Sequence, residues 1–259
     1  MFDIIIFNRI LILSHFPLLK GEIDMIKHRL KIVDIIDESQ GTKTYILEKP
    51  EDFNWEAGAM THVGLVGFDE GDSPNKGWVR HMSICSLPSE NHIAFTTRTK
   101  CSSEFKERLA ELTVGDELIL FKTVSHLSLK ESHKPVVLLT MGVGIAAVRP
   151  LIISLMKERS DIPTIQNITI DSSGEFIFKE ELDQFCNGCL SNHWFECRKD
   201  FYGMVNQTCQ QKDAVYYVIG SDEFIINMIL TLRQNGIEDS SIVIDKRQQM
   251  LPKFFQTAV

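Results

Sequence analysis

Four short stretches hold the residues best suited to chemistry. The first is Gly142-Val143-Gly144. It follows an apolar run from Val136 to Leu139 and precedes an apolar helical stretch that begins Ile145-Ala146. Gly142 can take a positive φ, and Gly144 lets a ligand or another backbone come close. A strand, a glycine turn and a helix form a phosphate-binding layout, because free N–H groups and the helix dipole attract an anion. A tight turn with no ligand would have the same sequence. The second stretch is Arg80-His81-Met82-Ser83-Ile84-Cys85-Ser86-Leu87-Pro88. An arginine and hydroxyls on an otherwise apolar strand need partners, since an unpaired buried polar group costs a few kcal/mol. Either Arg80 neutralises a pyrophosphate and Ser83 bonds a ring nitrogen, or the arginine pairs with a carboxylate and the serines belong to an ordinary turn.

The third stretch, Cys197-Arg198-Lys199, follows a short strand. Its two cations suit a phosphate or form a solvated surface pair. The fourth is Cys186-Asn187-Gly188-Cys189, with His193, Cys197 and Cys209 downstream. Cys-x-x-Cys is the spacing of a zinc or iron–sulfur half-site and also of two unrelated thiols. The histidines show no paired ligand spacing.

These stretches need elements to position them. Residues 25–131 are rich in short strands, at 30–36, 43–48, 61–68, 81–86, 93–99 and 117–121, separated by turn-forming groups such as Gly71-Asp72-Ser73-Pro74-Asn75. Six strands at this spacing predict a small antiparallel Greek-key barrel. One helix interrupts them at 103–112, capped by Ser102 or Ser103, with Phe105, Leu109 and Leu112 on one face. The composition turns polar at Lys130-Glu131-Ser132-His133-Lys134, which sets a boundary, and 132–259 form the second domain. There, strands at 136–140, 167–170, 193–197, 214–219 and 241–245 alternate with helices at 145–158, 178–185 and 222–235. That alternation predicts a parallel sheet wrapped by helices. Ligands of such sheets bind beyond the carboxyl ends of the strands. Gly142-Val143-Gly144, Arg198-Lys199 and Gly220-Ser221-Asp222 would meet there.

The 259 residues carry a net charge of −8, which argues against a nucleic-acid binder. Residues 1–24 are apolar but hold Asp3, Asn8, Arg9 and His15, a poor membrane span. They read as an extra element, an interfacial patch or a translation artefact ahead of Met25. Six cysteines without a secretory signal predict reduced thiols and a cytoplasmic protein.

Several stretches together resemble the ferredoxin–NADP reductase superfamily. Arg80-x-Met82-Ser83-x-x-Ser86-x-Pro88 is similar to its Arg-x-Tyr-Ser flavin motif, and Ser103-Glu104-Phe105 to Gly115-Asp116 is similar to the helix and turn that follow. Gly142-Val143-Gly144-Ile145-Ala146-Ala147 resembles its nicotinamide motif. Phe176-x-Phe178-x-x-Glu181-Leu182 and Tyr217-Val218-x-Gly220 fall in the expected order. The resemblance spans about residues 27–245. It implies a flavin-binding barrel followed by an NAD(P)-binding domain, and an enzyme that passes hydride from a nicotinamide to FAD or FMN.

By position, the resemblance assigns Arg80 to the flavin pyrophosphate and Ser83 to the flavin N5. It assigns Thr97, Arg98 and Thr99 to the ribityl chain or phosphates, and Ser102 or Ser103 to phosphate. The nucleotide would meet Gly142, Val143, Gly144, Ile145, Ala146, Gly220, Ser221 and Asp222. Arg198 and Lys199 favour NADPH over NADH. The electron acceptor would be a separate protein or a small molecule, and no resident metal is implied. Met82 replaces the family's aromatic residue, Ala147 its proline, and Ile219-Gly220-Ser221-Asp222 its Cys-Gly-Pro-Pro. Two other readings are an iron–sulfur electron-transfer subunit on Cys186, Cys189, Cys197 and Cys209, and a flavin- or nucleotide-binding protein without turnover.

Overall fold

A computed structural model describes residues 26–39, 41–100, 103–125, 127, 133–158 and 161–257. The expectations for residues 1–24 and for Ser102 lie outside the described residues.

The first half is one antiparallel sheet of β1 (Lys27–Ser39), β2 (Thr42–Leu47), β3 (Ala59–Leu65), β4 (Val79–Ser83), β5 (Ile93–Arg98) and β6 (Glu117–Ser125). Their order, β4-β3-β6-β1-β2-β5, is a Greek key. The edges meet where the Cys85 N–H, just past β4, donates to Ala94 O of β5 at 2.8 Å, which rolls the sheet into a barrel. Alternation sets the faces. Leu30 and Ile32 of β1 point inward while Arg29 and Lys31 face solvent. The helix α1 (Glu104–Glu111) sits on the barrel through Phe105 and Leu109, both fully buried. Each buried side chain stabilises by about 2 kcal/mol. The Tyr45 hydroxyl donates to Leu109 O at 2.9 Å and pins the helix. Burial, aided by the nearby Asp37 carboxylate, pushes the Tyr45 phenol up to about 12, so it stays a donor.

The second half is a parallel sheet of β7 (Val136–Met141), β8 (Ile165–Ile170), β9 (Leu190–Phe195), β10 (Val215–Ile219) and β11 (Ile242–Ile244), ordered β11-β10-β7-β8-β9. The central strand β7 is apolar without a break because both faces are covered. Val136 and Leu138 pack under α2 (Ile145–Glu158) and α3 (Lys179–Asp183). Val137 and Leu139 pack under α4 (Arg198–Thr208), α5 (Asp222–Gln234) and α6 (Leu251–Thr257).

The structure departs most from the sequence reading at four elements. The strand expected at 193–197 begins earlier, at Leu190, and stops at Phe195. The helix expected at 178–185 is the single turn and a half of α3. Helices α4 and α6 were not expected. Gly203 sits mid-helix in α4 and weakens its intrinsic propensity, yet Phe201, Val205 and Thr208 recur on one buried face and tertiary packing holds the helix. Among the described residues, no helix is long and apolar enough to cross a membrane.

Candidate functional site

The carboxyl ends of all five parallel strands open into one cleft of about 530 Å³, whose opposite wall is the barrel. The volume falls within the range of small-molecule and cofactor sites. Small residues form the seam behind it, where Ala146 of α2 packs on Cys85 and Ala94 of the barrel.

The barrel wall is basic. It presents Arg80, Met82 and Ser83 from β4, Thr96, Thr97 and Arg98 from β5, and Lys106 from α1. Arg80 donates to Gly77 O at 2.9 Å and to Val79 O at 2.7 Å, with its guanidinium over the Phe105 ring. Its hydrogen bonds go to carbonyls rather than to a carboxylate, so its charge remains available to an anion. Lys106 donates to the Thr97 hydroxyl. Arg98 reaches across the cleft to Asp171, past the end of β8, at 3.2 Å.

The opposite wall is built from turns. Gly142 takes φ +57°, and a Cβ there would come 2.7 Å from the Arg98 guanidinium. A Cβ on Gly144 would come 2.8 Å from Ile219 O, so the β7–α2 turn can lie against β10 only because residue 144 has no side chain. Ser221 caps α5 by accepting from the Phe224 N–H at 3.2 Å. Carboxylates also line this wall: Asp171, Glu196 and Asp245.

Asp245 stands at the end of β11 with Oδ1 buried and 3.9 Å from Lys246 Nζ. Burial pushes its carboxyl up to about 6, reinforced by Asp222 and partly offset by Lys246. A carboxyl raised in the folded state contributes stability below its unfolded value, near 4, and loses it as the pH rises through about 6. Asp245→Asn is therefore expected to stabilise the protein by about 2 kcal/mol near pH 8, with no gain near pH 3.5. Urea unfolding followed by circular dichroism at both pH values checks this.

The two walls are clamped by Arg149 of α2. It donates to Glu90 of the barrel at 2.6 and 3.0 Å, to Glu181 of α3 at 2.5 and 2.6 Å, and to Cys85 O at 2.8 Å. Burial works against the Arg149 cation, but the two carboxylates outweigh it and hold the guanidinium above its ordinary pKa. Burial alone would raise the Glu90 carboxyl. Hydrogen bonds from Arg149 and the Leu87 N–H keep it below the usual range.

Of the residues singled out in the sequence, Arg80, Met82, Ser83, Thr97, Arg98, Gly142, Val143, Gly144, Ala146, Arg198, Gly220 and Ser221 meet in the cleft. Others do not line it. Ser86 is buried, and its hydroxyl accepts from the Ala94 N–H at 2.9 Å. Thr99 donates to Gly41 O, and Ile145 lies in the core beneath α2. Ser103 precedes α1, Lys199 is exposed on α4, and Asp222 pairs with Lys246 at 3.1 Å. Sequence reasoning missed Lys106, Asp171, Glu196 and Asp245. The rule that ligands bind at strand ends would have pointed to the last three.

The cysteines among the described residues do not converge. Cys197 and Cys209 flank the two ends of α4, about 18 Å apart at the rise of an α-helix. Cys209 is buried, and the Cys189 thiol donates to Ile162 O. One cluster on Cys186, Cys189, Cys197 and Cys209 is ruled out by that spacing, because thiolate–metal bonds are about 2.3 Å. Among the described residues, no group of three or more His, Cys, Asp or Glu is arranged to hold a metal ion.

No protein-family model matches the chain, and no curated protein sequence does. Solved structures do. A ferredoxin NADP+ reductase from Neisseria gonorrhoeae, with bound FAD and NADP, superposes with a TM-score of 0.71 at 17% identity, over 84% of this chain and 97% of that one. The CS-b5R domains of human Ncb5or give 0.70 at 12% identity, over 87% and 71%. The flavohemoglobin of Malassezia yamatoensis, with bound FAD and heme, gives 0.69 at 16%, over 85% of this chain and 59% of that longer one. These likenesses show the fold: an antiparallel barrel followed by a parallel sheet, the two-domain arrangement of the ferredoxin NADP+ reductase structure.

Proposed function

We propose that the protein is a flavin-dependent NAD(P)H oxidoreductase that delivers electrons to a separate acceptor, a partner protein or a small molecule such as a free flavin, a quinone or a ferric chelate. The observation that supports this reading is the make-up of the cleft. Three cations, Arg80, Arg98 and Lys106, line its barrel wall, and a side-chain-free Gly142–Gly144 turn faces them. That donor set suits a group with phosphates and a flat ring, so FAD, or FMN with the same ring, fits the residues present.

When bound, the flavin would supply the redox chemistry, taking hydride from a nicotinamide and passing electrons on. The chain's own residues bind and orient. Arg80 and Lys106 hold phosphate, Ser83 offers its hydroxyl to the ring edge, and the nearly buried Met82 covers the ring face with a polarizable thioether. The N–H groups of the Gly142–Gly144 turn and the start of α2 receive the nucleotide phosphates. The seam of Ala146, Cys85 and Ala94 keeps water out from behind.

Arg198 is the cation placed to hold a 2′-phosphate, while Glu196 in the same cleft opposes one. Arg198→Ala is expected to raise KM for NADPH about tenfold or more while leaving KM for NADH within about twofold. Steady-state kinetics with each coenzyme measures the difference. The reading as a whole is tested by an anaerobic absorbance spectrum of the purified, flavin-reconstituted protein, before and after NADPH and then NADH. A flavin band that one nucleotide bleaches supports it. Failure to retain flavin, or a band that neither nucleotide bleaches, overturns it.

A further inference from the structure

Two histidines meet on the rim of the cleft. His62 of β3 and His81 of β4 are directly opposed across the two strands. Their Nε2 atoms lie 2.7 Å apart, with the rings at 90°. Arg247, three residues past β11, reaches over from the α/β domain. Its Nη2 is 2.9 Å from His81 Nε2 and 3.3 Å from His62 Nε2. The trio thus joins the barrel to the C-terminal segment. His81 itself lines the cleft, as does Asp245, two residues before Arg247.

The arrangement works in one protonation state. A guanidinium only donates. Two Nε2 atoms at hydrogen-bond distance share one proton, so one ring donates and the other accepts. Arg247 needs that same acceptor. A proton added at the accepting Nε2 leaves no acceptor among the three groups. A proton anywhere on the pair also sets a second positive charge beside the guanidinium. The charged groups that face His62 are all basic: His81 from β4, Arg247 from the C-terminal segment, and Lys122 from β6. The Phe121 ring packs on its other side, 5.0 Å away. Burial, followed by those three charges, holds the His62 imidazole down to about 4.

We propose that His62, His81 and Arg247 form a proton-operated latch between the two domains. Closed while both imidazoles are neutral, it fixes the segment from Asp245 to Arg247 against the strand that carries Met82 and Ser83; a proton taken up from solvent releases it. Arg247 is then a positioning residue for the cleft. A histidine depressed in the folded state contributes its stability above the unfolded value, near 6.5, and loses it as the pH falls towards about 4. The latch is a property of the polypeptide and does not rest on the reductase reading.

Hydrogen–deuterium exchange of the full chain, corrected for the intrinsic pH dependence, tests it on peptides covering 245–250. Between about pH 7.5 and about pH 4.5 their protection is expected to fall about tenfold, with β7 and β10 unchanged. Arg247→Ala is expected to show the low protection already at the higher pH. The double variant His62→Gln and His81→Gln, which keeps a donor and an acceptor but cannot titrate, is expected to stay protected at both. Equal wild-type protection at the two pH values, or an Arg247→Ala profile that matches wild type, overturns the proposal. If the variants do not fold, a histidine NMR titration of the wild-type chain decides. A His62 ring that stays neutral to below about pH 5 supports the latch, and ordinary titration of that ring overturns it.

Discussion

Arg149→Met is expected to destabilise the folded chain by about 3 kcal/mol near neutral pH, the scale of removing one partner from a buried ion pair. The cost comes from what is left behind. Arg149 is 11% exposed at its side chain, and its removal strands Glu90 and Glu181, at 25% and 38%, with the four hydrogen bonds it gives them gone. Partial exposure of the carboxylates keeps the figure at the lower end of the range. The pH dependence has a definite sign. With the cation gone Glu90 no longer gains from ionising, so the deficit shrinks as the pH falls below the ordinary carboxylate range, about 4. Urea unfolding near pH 7 and near pH 3.5 measures it. Adding Glu90→Gln and Glu181→Gln to Arg149→Met should recover most of the loss, because no charge then remains unpaired. An undiminished deficit in the triple variant would show that the arginine acts through packing alone.

Gly144→Ala is expected to slow flavin reduction by NAD(P)H about a hundredfold, the usual effect of misplacing reacting groups by about 1 Å. The new methyl group would stand 2.8 Å from Ile219 O, a backbone atom at the carboxyl end of the interior strand β10. Neither side can yield without separating the β7–α2 turn from the end of β10, the two elements that would seat the nucleotide. Anaerobic stopped-flow absorbance at saturating flavin reads the rate. Gly188→Ala is the matched control, since nothing lies within 4 Å of its added Cβ, and it should leave the rate unchanged.

The sequence by itself determined the local chemistry of this chain. The alternation of Leu30 and Ile32 with charged neighbours, the unbroken apolar run of β7 and the glycines at 142 and 144 are rules about adjacent residues. They were enough to read a barrel followed by a parallel sheet and to single out Arg80, Ser83 and Gly142, whereas Arg98 entered only through the resemblance to a known family. Elements held mainly by distant packing were harder to see. Helix α4 contains Gly203 and exists because Phe201 and Val205 have a sheet to cover.

What only the tertiary structure decided is which side chains meet. Ser83 and Ser86 share one sequence motif, but Ser86 accepts from a backbone N–H inside the barrel while Ser83 opens on the cleft. Cys197 and Cys209 looked like ligands of one site and lie at opposite ends of a helix. Glu90, Arg149 and Glu181 are spread along the chain and form one clamp, as His62, His81 and Arg247 form one latch. Periodicity records which face of its own element a residue occupies. Ion pairs, shared protons and close backbone approaches depend on distances of a few ångströms between elements far apart in sequence, and those distances exist only once both domains have packed.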